Sequence, residues 1–134
     1  MPKQKRGGRR SDSITDVQYS GEFSKIAQDG EVMYVKYNGG ATTSPMETKT
    51  RGRIYATLGK NNDVKYITFY DLETGERIKQ IDIYGKPHGT VQTPHVHLGY
   101  VHDEYGTRYP NIKENEKIKS ILNYWDRKRK QLNM

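Results

Sequence analysis

The chain has no cysteine, only two phenylalanines and one tryptophan among its 134 residues, and no long apolar segment. The absence of cysteine excludes a disulfide framework, a thiolate zinc site and a cysteine nucleophile. No segment approaches the ~18 apolar residues that a bilayer requires, so the sequence predicts no membrane-spanning helix and no membrane partner. The first residues lead into no apolar segment either, and we therefore expect no ordinary secretory signal.

Large apolar residues are scarce, and tyrosine is common instead. Only 32% of residues are hydrophobic, mean hydropathy is −1.03, and the chain has 11 tyrosines. These tyrosines are either a platform on which nucleic-acid bases stack or core residues that replace phenylalanine and leucine. Six lie in predicted strands, namely Tyr34, Tyr37, Tyr66, Tyr70, Tyr84 and Tyr100.

Positive charge is concentrated near the two ends of the sequence. Of the 23 basic residues, five lie within residues 1–10 and four within 127–130, whereas all 16 acidic residues lie between these segments. Residues 11–126 therefore carry 14 basic and 16 acidic residues, a net charge of −2 within a total of +7. The excess positive charge belongs to the ends.

This distribution predicts a disordered basic arm at residues 1–12, one folded domain at 13–126 and a basic extension at 127–134. A polyanion is the usual partner of such basic segments, so we expect nucleic acid as the partner, with improved solubility as the alternative. The candidate nucleic-acid contacts are Lys3, Lys5, Arg6, Arg9, Arg10, Arg127, Lys128, Arg129 and Lys130.

The hydrophobic pattern predicts an α+β fold, a small antiparallel β-sheet of four or five strands with a C-terminal helix packed on it. The clearest element is a hairpin of residues 64–71 and 77–84, whose connection needs a left-handed residue and has Gly75 available. The other predicted strands are residues 32–37, 53–58 and 95–101.

A capping-box spacing begins the predicted helix, with Asn111 as the N-cap and Glu114 three residues later. Apolar residues at i, i+3, i+4 and i+7 then form one stripe, which we expect to cover one face of the sheet. The stripe consists of Ile118, Ile121, Leu122 and Trp125.

All four histidines lie within 15 residues, at His88, His95, His97 and His102. One interpretation is a metal site. Two histidines at positions i and i+2 of a strand project from the same face, so His95 and His97 can bind one divalent transition metal. His102 or His88 would supply a third ligand.

A second interpretation is acid–base chemistry on RNA without a metal. His95 and His97, with His88 as a third candidate, would act as base and acid toward a phosphodiester. Lys86 would stabilise the charge that develops on the phosphorane. A third interpretation is structural, because histidines beside proline and glycine often only hydrogen-bond a loop backbone.

The histidine region resembles a known family. The similar segments are Tyr66-Ile67-Thr68-Phe69-Tyr70-Asp71, Gly75 to Asp82, Gly85-Lys86-Pro87-His88-Gly89, and Pro94-His95-Val96-His97-Leu98-Gly99-Tyr100-Val101-His102. This run resembles the His-rich C-terminal module of minor head (head morphogenesis) proteins of Gram-positive phages, and similar modules end bacterial polymorphic toxins. The resemblance covers about residues 64–125.

The resemblance implies a phage or mobile-element protein, located in the host bacterial cytoplasm or associated with the virion. It also implies that the four histidines are the module's own, with Lys86 and Asp82 as polar companions. Together with the basic segments, it leads us to expect a nucleic-acid-binding protein that is a histidine-dependent (ribo)nuclease. The alternatives are a non-enzymatic phage structural protein, a small inhibitor of a host nucleic-acid-binding protein, and a metal-dependent small-molecule enzyme.

Deleting residues 1–10 removes five positive charges and tests the expected role of the basic arm. The deletion should weaken binding to single-stranded nucleic acid and flatten its salt dependence by about 0.7 in log–log slope per lost phosphate contact. Fluorescence anisotropy at several salt concentrations measures both quantities, with circular dichroism as the control for folding. Unchanged affinity would leave the arm as a solubility device.

Overall fold

In the part of the chain that the structure describes, seven strands form one sheet in which neighbours in the sequence are neighbours in space. This computed structural model describes residues 22–101 and 104–134, so the predicted basic arm at 1–12 lies outside the described residues. A helix, α1 (Ile112–Leu132), follows the sheet. The strands are β1 (Phe23–Asp29), β2 (Val32–Tyr37), β3 (Ile54–Leu58), β4 (Val64–Tyr70), β5 (Arg77–Asp82), β6 (His95–Leu98) and β7 (Thr107–Arg108).

Every neighbouring pair of strands is antiparallel except β2 and β3, which are parallel. The predicted α+β class is confirmed, but the predicted four or five strands were too few. The additional strands are β1 and β7. Polar residues in β1, such as Lys25 and Gln28, hide its alternation, and β7 is only two residues long.

The predicted hairpin is confirmed as β4 and β5, with slightly shorter strands. Gly75 has a φ of +76°, the left-handed conformation that its place in the connection requires. Asp71 closes the turn, because its carboxylate accepts hydrogen bonds from the backbone N–H groups of Glu73 and Thr74, both at 2.8 Å.

One face of the sheet, called here the helix face, packs against α1. The centre of the sheet contributes a row of three fully buried side chains, Ile67, Ile81 and Val96. The Trp125 ring stacks on Tyr34 at a centroid distance of 5.5 Å, and the Tyr34 hydroxyl donates to the Ile121 carbonyl at 3.0 Å. The predicted apolar stripe is confirmed, with three of its members buried: Ile118, Ile121 and Trp125.

The opposite face, called here the loop face, is covered by the crossover between β2 and β3, residues 38–53. Apolar residues fill this face near β1 to β3, where Met33, Val35 and Tyr55 are buried. The crossover is held in place by the Tyr70 hydroxyl, which donates to the Pro45 carbonyl at 2.5 Å. Toward β4 to β7 the loop face becomes polar.

The N-terminus of α1 forms the predicted capping box between Asn111 and Glu114. The Glu114 carboxylate also bonds Arg108 at 2.7 Å and Lys79 at 2.8 Å, although the residue is only 4% exposed. Hydrogen bonds from Arg108 above all, and from Lys79, outweigh the effect of burial and lower the pKa of Glu114 to about 2. This carboxylate joins the helix to β5 and β7.

The helix continues to Leu132, so residues 127–132, expected in a basic extension, form its last turns instead. Lysine and arginine are good helix formers, and their charge is favourable near a helix C-terminus, so a basic run does not end a helix. In the described part of the chain, no helix has the length and apolar character needed to cross a membrane.

The same end of α1 holds the turn of residues 59–63, which connects β3 to β4. Arg129 bonds the Asp63 carboxylate at 2.5 Å and the Asn61 carbonyl at 3.1 Å. Trp125 Nε1 donates to the backbone carbonyl of Asn62 at 2.7 Å. Two side chains of the helix therefore fix three successive residues of the turn.

Replacing Glu114 by glutamine should lower the free energy of unfolding by about 2–3 kcal/mol at pH 7, because the ion pairs are lost. The native pKa lies below the unfolded value, so this stabilisation is present above about pH 4.5 and is lost as the pH falls toward 2. Urea unfolding of both proteins between pH 7 and pH 2.5 measures the difference between their free energies of unfolding, which should shrink as the pH falls. The exposed Glu116→Gln is the control, and a constant difference across this range would contradict the assignment.

Candidate functional site

Polar side chains replace apolar ones on the loop face where β4, β5, β6 and β7 pair. Residues two apart in a strand face the same side of the sheet, so alternate positions of these four strands share the loop face. The pairing register aligns them in two adjacent rows, Tyr66–Asp82–His95 and Thr68–Gln80–His97–Thr107. Two histidines and one carboxylate therefore meet at the centre of a polar surface.

Asp82, His95 and His97 converge on one point. His97 Nε2 lies 3.1 Å from Asp82 Oδ2, and His95 Nε2 lies 3.3 Å from the same oxygen. The two imidazole centroids are 4.7 Å apart. His95 is 1% and His97 5% exposed, so both rings lie almost entirely out of solvent.

A second layer of hydrogen bonds orients the three side chains. His95 Nδ1 bonds the Val91 carbonyl at 3.2 Å, and His97 Nδ1 bonds Thr107 Oγ1 at 3.0 Å. The other Asp82 oxygen accepts a hydrogen bond from Gln80 Nε2 at 3.0 Å. The Gln80 carbonyl oxygen in turn accepts from Ser44 and Arg77.

The contact between His95 and Asp82 requires a positive group between them. A carbonyl oxygen can only accept, so the bond to Val91 places a proton on His95 Nδ1. In the neutral ring, Nε2 then carries a lone pair, which faces the Asp82 carboxylate at 3.3 Å. Two acceptors so close repel each other unless a proton or a metal ion lies between them.

The three ligand atoms fit a metal ion. Zinc bonds to nitrogen and oxygen ligands are about 2.0–2.2 Å long, so two ligands of a tetrahedral site are separated by roughly 3.3 Å. The Nε2–Oδ2 separations of 3.1 and 3.3 Å agree with this spacing, and all three ligand atoms lie within 4.8 Å of one another. Ligating histidines usually donate their second N–H to a carbonyl or a carboxylate, as His95 does to Val91.

The loop of residues 85–94 brings His88 over the same cluster. Its ring centroid lies 5.3 Å from that of His97 and 6.4 Å from that of His95, and its side chain is exposed. The Tyr109 hydroxyl holds this loop, since it accepts from the backbone N–H of Gln92 at 3.0 Å. His88 therefore stands between the buried cluster and solvent.

Only some of the predicted site residues lie together in the described structure. His88, His95 and His97 come together, as the metal and acid–base interpretations require. His102 lies outside the described residues, and the third candidate ligand atom belongs to Asp82, which the resemblance implies only as a polar companion. Lys86 is exposed and lies two residues before His88. The sequence signal for Asp82 is its alternation with Ile81 and Ile83, which places its side chain on the opposite face of the sheet.

The other predicted binding residues lie elsewhere. Of the proposed nucleic-acid contacts, Lys3, Lys5, Arg6, Arg9 and Arg10 are outside the described residues. Arg127 and Lys130 are exposed on α1, Lys128 is half-buried, and Arg129 is bonded to Asp63.

The tyrosines divide between core and surface. Tyr34, Tyr70 and Tyr100 are buried, as a role in the core predicts. Tyr66 is half-buried beside Asp82, and burial, together with the nearby carboxylate, raises the pKa of its hydroxyl. Tyr84 is 39% exposed. Tyr66 and Tyr84 are therefore accessible at the edge of the cluster.

Comparison with protein-family models, curated proteins and solved structures finds no match to this chain. The resemblance to the phage head-protein module therefore stays an expectation from sequence.

The cluster should bind one equivalent of Co²⁺ and give the intense visible absorption of a four-coordinate ion. His97→Ala and Asp82→Asn should abolish this signal, because each removes a ligand. Thr107→Val keeps the shape of the side chain but removes the hydroxyl that orients His97, and should weaken affinity about 10–100-fold. Absorption titrations measure all three effects.

Thr90→Val is the matched control for Thr107→Val, because Thr90 is exposed in the loop of residues 85–94. Near-ultraviolet circular dichroism checks that each variant is folded. Equal cobalt affinity in the parent protein, His97→Ala and Asp82→Asn would refute a metal site in this cluster.

Proposed function

We propose that this protein is a metal-dependent nuclease in which Asp82, His95 and His97 bind a divalent transition metal. The observation that carries the proposal is the approach of two imidazole Nε2 atoms to one carboxylate oxygen, at 3.1 and 3.3 Å. Three protein ligands leave a coordination position for water, as in catalytic zinc sites. Such an ion lowers the pKa of its bound water to about 7 and polarises a phosphoryl oxygen.

The protein's own groups have distinct roles in this reaction. Gln80, Thr107 and the Val91 carbonyl hold the ligands in a fixed orientation, so no reorganisation is needed when the substrate binds. His88, exposed over the cluster, is placed to give a proton to the leaving oxygen as its bond to phosphorus breaks. Lys86, in the same loop, is a cation for the charge on the phosphorane.

The spacing of the imidazoles favours this mechanism over metal-free acid–base catalysis by His95 and His97. Two histidines that act on the attacking and the leaving oxygen of one phosphate need room for that phosphate between them. The two rings are 4.7 Å apart and both point at Asp82, which leaves no such room. In the described residues, His88 lies on the exposed side of the cluster, from which a phosphate would approach.

The positive charge of the sequence supports a nucleic-acid substrate. The five basic residues among positions 1–10 provide phosphate contacts with little sequence preference. A small neutral substrate does not need an arm of five positive charges. Nucleic acid therefore fits the whole chain better than a small molecule does.

A second candidate function follows from the ligand set itself. Two histidines and one carboxylate also form the facial triad of non-haem iron oxygenases, which act on small molecules. Fe²⁺ in freshly purified protein, with oxygen-dependent turnover, would favour this candidate over hydrolysis. Zinc or manganese with phosphodiester cleavage would favour the nuclease.

Purified protein loaded with Zn²⁺ or Mn²⁺ should cleave single-stranded RNA or DNA, and EDTA should abolish cleavage. Asp82→Asn and His97→Ala should lower the rate at least 100-fold, because they remove metal ligands. His88→Ala should lower it about 10–100-fold, because the proposed proton donor is lost. Gel assays measure these effects.

Tyr105→Phe is the control variant, since this exposed tyrosine lies outside the cluster. Cleavage that persists in EDTA would refute the role of the metal. Intact substrate under every metal condition would refute the nuclease. In that case a stoichiometric complex with nucleic acid or a host protein would identify a structural protein or an inhibitor.

A further inference from the structure

A bulge in β4 turns a lysine toward the polar face beside the cluster. Thr57 pairs with Tyr66, and the next residue, Leu58, pairs with Val64, so Lys65 is an extra residue in β4. A bulge leaves the extra residue unpaired and redirects its side chain. Lys65 Nζ consequently lies 5.4 Å from the centroid of the Tyr66 ring, although the two residues are consecutive.

Lys65 forms one wall of a pocket of about 390 Å³, together with Tyr66 and Tyr84. Its ammonium group lies 4.6 Å from the centroid of the Tyr84 ring, a cation–π arrangement. Lys60 and Asn61, from the turn of residues 59–63, line the same pocket. The volume falls in the ~300–1,000 Å³ range of small-ligand sites, and the lining combines two ammonium groups with two aromatic rings.

The pocket adjoins the metal cluster. Tyr66 is the direct cross-strand partner of Asp82, one strand spacing of about 4.8 Å away, and Tyr84 follows Asp82 by two residues. A ligand that fills the pocket therefore ends beside the carboxylate that His95 and His97 share. Among the residues that the structure describes, no acidic side chain lines the pocket, and its two ammonium groups favour an anionic ligand.

We infer that this pocket binds one nucleotide of a single-stranded nucleic acid, with the phosphate on Lys60 and Lys65 and the base against Tyr84. This inference rests on the proposed function, because it places the next phosphodiester at the cluster of Asp82, His95 and His97. Aromatic side chains stack on any base, whereas a base in a duplex is already stacked and paired. The pocket therefore selects unpaired strands and reads little sequence.

Binding is tested with the full chain in EDTA, so that cleavage plays no part. Isothermal titration calorimetry uses unlabelled pentauridylate and pentathymidylate, which separate RNA from DNA. Tyr84→Ala should weaken binding on the order of 10-fold, through loss of stacking. Lys65→Gln should reduce the log–log salt slope by about 0.7, through loss of one phosphate contact.

The controls are matched by residue type. Tyr105→Ala removes an exposed tyrosine outside this pocket, and Lys113→Gln removes an exposed lysine of α1. Neither should change the affinity more than about 2-fold. A fully paired hairpin duplex should bind with the same affinity to the parent protein and to Tyr84→Ala.

Gly59 provides a sharper test of the position of Tyr84. A Cβ at residue 59 would lie 2.2 Å from the Tyr84 hydroxyl, so Gly59→Ala must displace that ring. This variant should weaken binding of the pentanucleotides about as much as Tyr84→Ala does. Removing the hydroxyl in the double variant Gly59→Ala/Tyr84→Phe relieves the clash and should restore affinity.

The inference is overturned if Tyr84→Ala and Lys65→Gln bind the pentanucleotides as the parent protein does. It is also overturned if Gly59→Ala has no effect, or if duplex binding depends on Tyr84 as strongly as single-strand binding does. Binding without cleavage in the presence of metal would reject the proposed nuclease and retain the nucleotide pocket. Cleavage by the parent protein, with unchanged binding in the pocket variants, would reject the nucleotide pocket and retain the proposed nuclease.

Discussion

One carboxylate oxygen, Asp82 Oδ2, is approached by two imidazole nitrogens, and the polar half of the sheet is arranged around it. Burying a carboxylate and two rings with lone pairs is costly unless a positive species compensates them. Hydrogen bonds at the far side of each ring prevent His95 and His97 from turning away. The surrounding structure thus maintains an arrangement that is favourable only when a cation or a proton is shared.

The two faces of the sheet have different roles: the helix face stabilises the fold, and part of the loop face carries the candidate site. The helix face is apolar across most of its width, and α1 closes it with Ile118, Ile121 and Trp125. The loop face has its apolar residues near β1 to β3 and its polar residues on β4 to β7. Because side chains alternate along a strand, β6 contributes Val96 to the core and two histidines to the site. Four consecutive residues of one strand thereby serve both faces.

Much of the fold follows from local sequence patterns, whereas the site depends on the register in which the strands pair. The hairpin with Gly75, the capping box at Asn111 and the apolar stripe of α1 depend on neighbours in sequence, and each was predicted. The role of Asp82 depends on which residue of β5 lies opposite His95, and a shift of one residue would turn its side chain to the other face. No local pattern reports that register.

The crossover and the weak edge strands were beyond prediction for a related reason. The parallel pairing of β2 with β3 is set by the long loop of residues 38–53, whose composition indicates only a loop. The histidine pair at positions 95 and 97 was visible as a same-face pair, and the convergence of His88 required the path of the loop that carries it. Contacts between segments that are distant in the sequence decide both the parallel pairing of β2 with β3 and the position of His88.

The attachment of α1 to the turn of residues 59–63 has a further consequence. Trp125 and Arg129 hold that turn by its backbone carbonyls, and the turn carries two of the residues that line the pocket beside Asp82. The pocket wall is therefore as rigid as the packing of the helix. Binding of a ligand costs this wall little conformational entropy, because folding of the core has already immobilised it. The basic end of the helix thus stabilises the pocket wall from outside the pocket, whether or not the helix itself touches a ligand.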